Sequence, residues 1–122
     1  MYEIPGCQIS ARLKEAQENK YRFVKLTANG VELATAASDV VLGVLQREGI
    51  ATEVVPVMES GISMVEASAA IAKAALVGPT TGGKAVTVDG SMYSGIALEA
   101  ATAAGDIIPV LVRPNSVGAD LG

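Results

Sequence analysis

The sequence predicts a mainly β protein, a small β-sandwich or barrel built from two similar β units, with an extended N-terminal arm and at most one short helix. Three observations carry this. Val41-Leu42-Gly43-Val44-Leu45-Gln46 leads through a charged turn into Glu53-Val54-Val55-Pro56-Val57-Met58, and the same figure returns as Ser94-Gly95-Ile96-Ala97-Leu98 followed by Gly105-Asp106-Ile107-Ile108-Pro109-Val110-Leu111. The repeat extends backward, Phe23-Val24-Lys25-Leu26 answering Ala74-Ala75-Leu76-Val77. Finally, neither unit can bury its apolar face alone, whereas two packed together share a core.

Residues 1–20 read as the arm. Pro5-Gly6 is a breaker that separates Tyr2 and Ile4 from the rest of the chain. Residues 10–19 begin with a serine suited to an N-cap and contain good helix formers. Their apolar face of Ala11, Leu13 and Ala16 is too narrow for a core helix, so one or two turns at most are expected, ordered on a partner.

Residues 21–113 form the predicted β domain. Tyr21 to Leu26 alternates as a strand, with Tyr21, Phe23 and Lys25 on one side and Arg22, Val24 and Leu26 on the other. Asn29-Gly30 marks a tight hairpin into Val31-Glu32-Leu33-Ala34, because the favoured two-residue turn needs positive φ at both central positions. The first repeat comes next, and Pro56, which lacks an N–H, predicts an edge strand or a bulge. Residues 59–77 are ambiguous. Their alanines favour a helix over 65–76, but the apolar positions make no clean helical stripe and Ile62-Ser63-Met64-Val65 reads as a strand, so strand, turn, strand is the expectation. Residues 114–122 read as a flexible tail.

Composition narrows the function. A chain of 122 residues forms one domain with a modest core. Three Tyr, one Phe and no Trp leave that core short of large side chains, which predicts stabilisation by other chains and hence self-association. The net charge of −4 argues against nucleic acid, since phosphate neutralisation needs clustered Lys and Arg. The locally basic segment 12–25 has Glu15 and Glu18 interleaved and reads as a solvated or interfacial face. Cys7 stands alone, so no internal disulfide or CxxC metal pair exists, and a reducing compartment fits. With no signal-peptide pattern and no membrane-length apolar run, the expectation is a soluble protein made in the cytoplasm, without membrane contact.

Chemistry is sparsely signalled. There is no histidine, so no Ser-His-Asp or Cys-His arrangement can form. Glu53 and Asp106 occupy equivalent places in the two repeats; they suit capping or charging the start of an edge strand better than acid-base catalysis. Ser60, Ser63, Ser68 and Lys73 match no Ser-Lys motif. Gly78-Pro79-Thr80-Thr81-Gly82-Gly83-Lys84 satisfies the glycines and lysine of a phosphate-binding loop, but Ala85 replaces the Ser or Thr and a strand-like run replaces the helix. A glycine-rich hairpin loop is the better reading, and no cofactor or metal is expected.

In order and spacing, Ile4-Pro5-Gly6 with Ile9-Ser10-Ala11, then Tyr21 to Leu26, Leu42 to Gln46, Ser60-Gly61-Ile62, Gly95 to Ala100 and Ile107 to Leu111 resemble the capsid decoration, or cement, proteins of tailed bacteriophages. The resemblance runs from about Ile4 to Arg113. It implies a non-enzymatic virion protein on the outer surface of the expanded head, partnered by the major capsid protein and forming homo-oligomers, trimers being favoured. The alternatives are another head or tail structural module and, more remotely, a small nucleotide-binding protein using Gly78–Lys84. The capsid-contact candidates are Tyr2, Ile4 and Pro5 in the arm, Arg12 in the basic segment, and Tyr21 and Arg22, whose residue types favour interface anchors.

Overall fold

A computed structural model describes residues 4–17, 20–28, 30–36, 39, 41–88 and 93–116. These form nine strands: β1 (Ile4–Arg12), β2 (Phe23–Thr27), β3 (Gly30–Leu33), β4 (Val41–Leu45), β5 (Val54–Glu66), β6 (Leu76–Pro79), β7 (Ala85–Thr87), β8 (Tyr93–Ala97) and β9 (Ile107–Ser116). The sheet order is β3-β2-β4-β5-β9-β8-β6-β7, with β1 on the remaining edge of β5. Every strand pairing is antiparallel. The fold is mainly β, as the sequence predicts.

That strand order is a palindrome about the β5–β9 pair, and it reveals a repeat deeper than the sequence figure. In the first unit β2, β3 and β4 succeed one another; in the second β6, β7 and β8 take their places. The long strand β5 serves both units. Its first half ends the first unit, while its second half begins the next and pairs with β9 as β1 pairs with β5: Arg12 faces Val54, and Glu66 faces Ile107. Gly61, with φ of 115°, lies where β5 passes from one unit to the other, a conformation disfavoured for residues with a Cβ.

Backbone hydrogen bonds repeat with the strands. Leu13 N–H donates to Glu53 C=O at 2.9 Å, and Ala67 N–H to Asp106 C=O at 2.8 Å. Likewise Tyr21 N–H donates to Leu45 C=O, as Ala74 N–H does to Ala97 C=O. The parallel bridge Leu13–Val31 joins β3 back towards β1, and Ala67–Ala85 does the same in the second unit. Each unit is therefore a five-stranded sheet curled until its ends meet, which selects barrel over sandwich.

Two cores result. Leu13, Val24, Val31, Leu45, Val55 and Val57 fill the first barrel. The larger core holds the second barrel's Val65, Val77, Ala85 and Val110 together with Phe23, Val44 and Met58 from the first. Neighbouring residues on one strand, Phe23 with Val24 and Val44 with Leu45, enter different cores, so these strands are buried on both faces. This accounts for the continuous apolar run of β4. Gly43 and Gly95 are equivalent and neither has room for a side chain. A Cβ at Gly43 would lie 2.2 Å from Met58 C=O, and one at Gly95 2.5 Å from a Val110 methyl.

Several expectations need correcting. Ile4–Arg12 is extended but is not a detached arm, because it pairs with β5 from Ile4–Ile62 to Arg12–Val54; a register irregularity around Cys7 absorbs the Pro5-Gly6 breaker. No α-helix forms among the described residues of 10–19: the segment finishes β1, then makes isolated bridges at Leu13 and Gln17. The strand expected from Tyr21 starts at Phe23, since Tyr21 has φ of 63° and turns the chain. Pro56 lies in an interior strand, opposite Ser10 of β1, and its carbonyl accepts from Gln46 N–H. A β strand reaches Ser116, so residues 114–116 belong to the sheet; 117–122 lie outside the described residues. Residues 59–77 do run strand, turn, strand.

Candidate functional site

The chemistry-bearing side chains gather in two places, the corners that launch strands and the junction between the barrels. At one corner Glu53 Oε1 accepts from Ile50 N–H at 3.0 Å and Oε2 from Arg47 at 2.8 Å. Asp106, its equivalent, accepts at Oδ2 from Thr102 N–H and hydroxyl, both at 2.8 Å, and from Ala103 N–H at 3.3 Å. Asp39 makes the same cap before β4, accepting from Thr35 N–H at 2.8 Å and Ala36 N–H at 3.1 Å.

These bonds stabilise the charged form. The N–H of Thr102 chiefly holds the Asp106 carboxyl below its ordinary range, that of Thr35 does so for Asp39, and that of Ile50, followed by Arg47, for Glu53. A general acid needs the opposite displacement, so the geometry makes all three turn caps. Ala34-Thr35-Ala36-Ala37-Ser38-Asp39 matches Ala101-Thr102-Ala103-Ala104-Gly105-Asp106, the sequence signal that marks Asp39 as a third corner. The predicted capping role holds for Glu53 and Asp106, but β5 and β9 are interior rather than edge strands.

At the junction, Arg22 is 8% exposed. Its Nη2 donates to Glu66 Oε1 at 3.1 Å and its Nη1 to Gly82 C=O at 3.0 Å. Lys84 Nζ lies 3.5 Å from Glu66 Oε2. The glycine-rich loop therefore closes over a knob from the first barrel: a Cβ at Gly83 would meet Phe23 C=O at 2.5 Å. Gln46 adds a second tie, donating to Ser63 Oγ at 2.9 Å. Lys84 faces a carboxylate, the loop contains a 3-10 turn over Thr81–Gly83, and strand β7 comes directly after it. None of this provides a helix N-terminus for a phosphate.

The predicted contact residues are dispersed. Tyr2 lies outside the described residues. Ile4 and Pro5 stand opposite Ile62 and Gly61 in the β1–β5 pairing. Arg12 is exposed, with Nη1 3.3 Å from Thr52 C=O. Tyr21 is half-buried beneath Lys20, whose Nζ is 4.9 Å from the ring centre. Arg22 is engaged inside the junction, with little of its surface left for a partner. Among the described residues no three of His, Cys, Asp and Glu are grouped to hold a metal.

A groove of about 460 Å³ opens on the first barrel between β1 and the β2–β3 hairpin, lined by Ile9, Ala11, Arg12, Leu26, Gly30 and Leu42, among others. Leu26 on its wall is 65% exposed.

The crystal structure of the head fiber gp8.5 N base in bacteriophage phi29 matches this architecture at a TM-score of 0.72. The shared property is the fold. The match covers 91% of this chain and 97% of that one, at 18% sequence identity. The sequence itself matches no protein-family model and no curated protein.

Proposed function

We propose that this chain is a non-enzymatic structural module of a tailed-phage head, seated on the outer surface of the capsid shell at the base of a head-attached appendage. The fold match to a head fiber base, nearly complete in both directions, carries this reading. The tandem body supports it, because the most engaged charged groups are used for capping corners and joining barrels.

The major capsid protein is the proposed partner and self-association the proposed state, a trimer being favoured. Mechanically, a module that binds the expanded lattice better than the unexpanded one stabilises the former by its differential affinity, and many copies on one particle add up. A second reading, a cement protein that holds the shell against DNA pressure, rests on the sequence resemblance from Ile4 to Arg113. Both readings predict stoichiometric co-sedimentation of the purified chain with undecorated expanded shells. Failure to co-sediment overturns both. Electron microscopy then separates them, since an appendage base labels discrete projections whereas cement covers the lattice and raises its melting temperature.

A further inference from the structure

Among the described residues, both halves of the interface that joins the two barrels recur in a more open setting elsewhere on the molecule. In the chain, the first barrel offers Phe23, Val44, Met58 and Gln46 to the second. The three apolar residues are at most 1% exposed there, and Gln46 bonds Ser63. The repeated hydrogen bonds and registers match Tyr21, not Phe23, with Ala74, two residues off the sequence figure; the equivalents in the second barrel are therefore Leu76, Ile96, Leu111 and Leu98. All four are large, apolar and only half-buried. Leu76 faces Ile96 across β6 and β8, and Ile96 faces Leu111 across β8 and β9, so they form a continuous apolar patch.

The receiving half is repeated too. In the second barrel it is formed by Ser63–Glu66 of β5 and by Pro79 and the glycine loop, with Ser63 0% exposed and Pro79 buried. The equivalents in the first barrel are Ile9–Arg12 of β1 and Leu26 with the β2–β3 turn, which line the open groove. Ser63 is buried where Ile9 is half-buried, Pro79 is buried where Leu26 is 65% exposed, and Ser94 is buried where Leu42 is half-buried. In each pair the second barrel's residue is the more buried and its first-barrel counterpart the more open.

We infer that the second barrel of one copy docks, through Leu76, Ile96, Leu98 and Leu111, into the Ile9–Arg12 and Leu26 groove on the first barrel of another copy. This head-to-tail contact repeats the joint inside the chain. Arg12 replaces Glu66 in the groove, and the acid beside the patch is Glu99, adjacent to Leu98. Ala75 stands where Arg22 stands in the internal joint, so the Arg22–Glu66 ion pair is not repeated and the docking rests on the apolar faces. The contact is heterologous: every copy carries both halves, and association closes into a ring or runs on as a filament. It rests on the self-association proposed above and supplies its geometry; shell attachment is a separate measurement and can fail independently.

Leu26→Asp disables the groove and Leu98→Asp the patch, each at a residue at least partly exposed. Sedimentation equilibrium of the wild type is expected to show association beyond a monomer, with each variant alone monomeric and folded by circular dichroism. An equimolar mixture of the two variants is expected to give a dimer and nothing larger, because one intact groove and one intact patch remain. If Leu98→Asp does not fold, Leu98→Thr takes its place. A monomeric wild type, association that survives Leu26→Asp, or a mixture that stays monomeric overturns the inference.

Discussion

Arg22 and Glu66, 44 residues apart in the chain, meet at 3.1 Å where the first barrel enters the second. Glu66 also faces Lys84, while Arg22 reaches the Gly82 carbonyl. One carboxylate therefore balances two cations at a largely buried joint. Glu66→Ala leaves Arg22 buried without its counter-ion, and the expected loss is about 3 kcal/mol, measured by urea denaturation. A loss within experimental error would show the pair to be solvated in solution.

The corner carboxylates set the response to acid. Asp39, Glu53 and Asp106 are held below their unfolded values by N–H donors, so folding favours their charged forms. The stability they contribute is present above the unfolded values of 3.8 for Asp and 4.5 for Glu, and is lost as pH falls through the folded ones. Melting temperature is therefore expected to drop once pH falls below about 5. The chain has no histidine, so the curve should be flat between about pH 6 and pH 7.5. Asp106→Asn should make the acid limb shallower; an unchanged limb would remove the capping role.

Local rules explain what could be read from the sequence and what could not. The repeat is legible at Gly43 with Gly95 and at Pro56 with Pro109, because close strand approach and recurring interior positions constrain residue type at both sites. The Asn29-Gly30 signal announces the β2–β3 hairpin but one position late: Thr27 pairs with Gly30, so Gly30 opens β3 instead of holding a central turn position. β1 is hidden because its partner lies some fifty residues away and Pro5-Gly6 resembles an ending. Arg22 is hidden because the turn at Tyr21, φ 63°, breaks the alternation that had assigned it a strand face. The interface between the barrels is invisible to pattern, since Phe23 and Val24 are both apolar and only the fold sends them to different cores.

Gly43 tests close packing directly. A Cβ there would lie 2.2 Å from Met58 C=O, a backbone atom that cannot rotate away. Gly43→Ala is expected to cost about 3 kcal/mol, and Gly43→Val to prevent folding. Gly105→Ala is the control on space, because a Cβ there meets nothing within 4 Å and only its φ of 93° opposes the change. Chemical denaturation of all three variants gives the order; Gly43→Ala must be the worse of the two alanine variants.

Removing residues 1–9 separates a docking arm from a structural strand. A free arm could be cut with the fold intact and only attachment weakened. The pairing of Ile4, Pro5, Cys7, Gln8 and Ile9 with β5 predicts otherwise, because the cut removes most of a barrel strand and takes Ile9 from the edge of the smaller core. The remaining Ser10–Arg12 is too short to hold Val55 and Val57 out of water. The truncated chain is expected to lose cooperative melting in its first barrel. Loss of backbone amide protection should be concentrated in β2 to β4, with protection in β8 and β9 less affected. A truncated chain that melts like the full one would return β1 to the status of an arm, and the groove beside it would have to be redrawn.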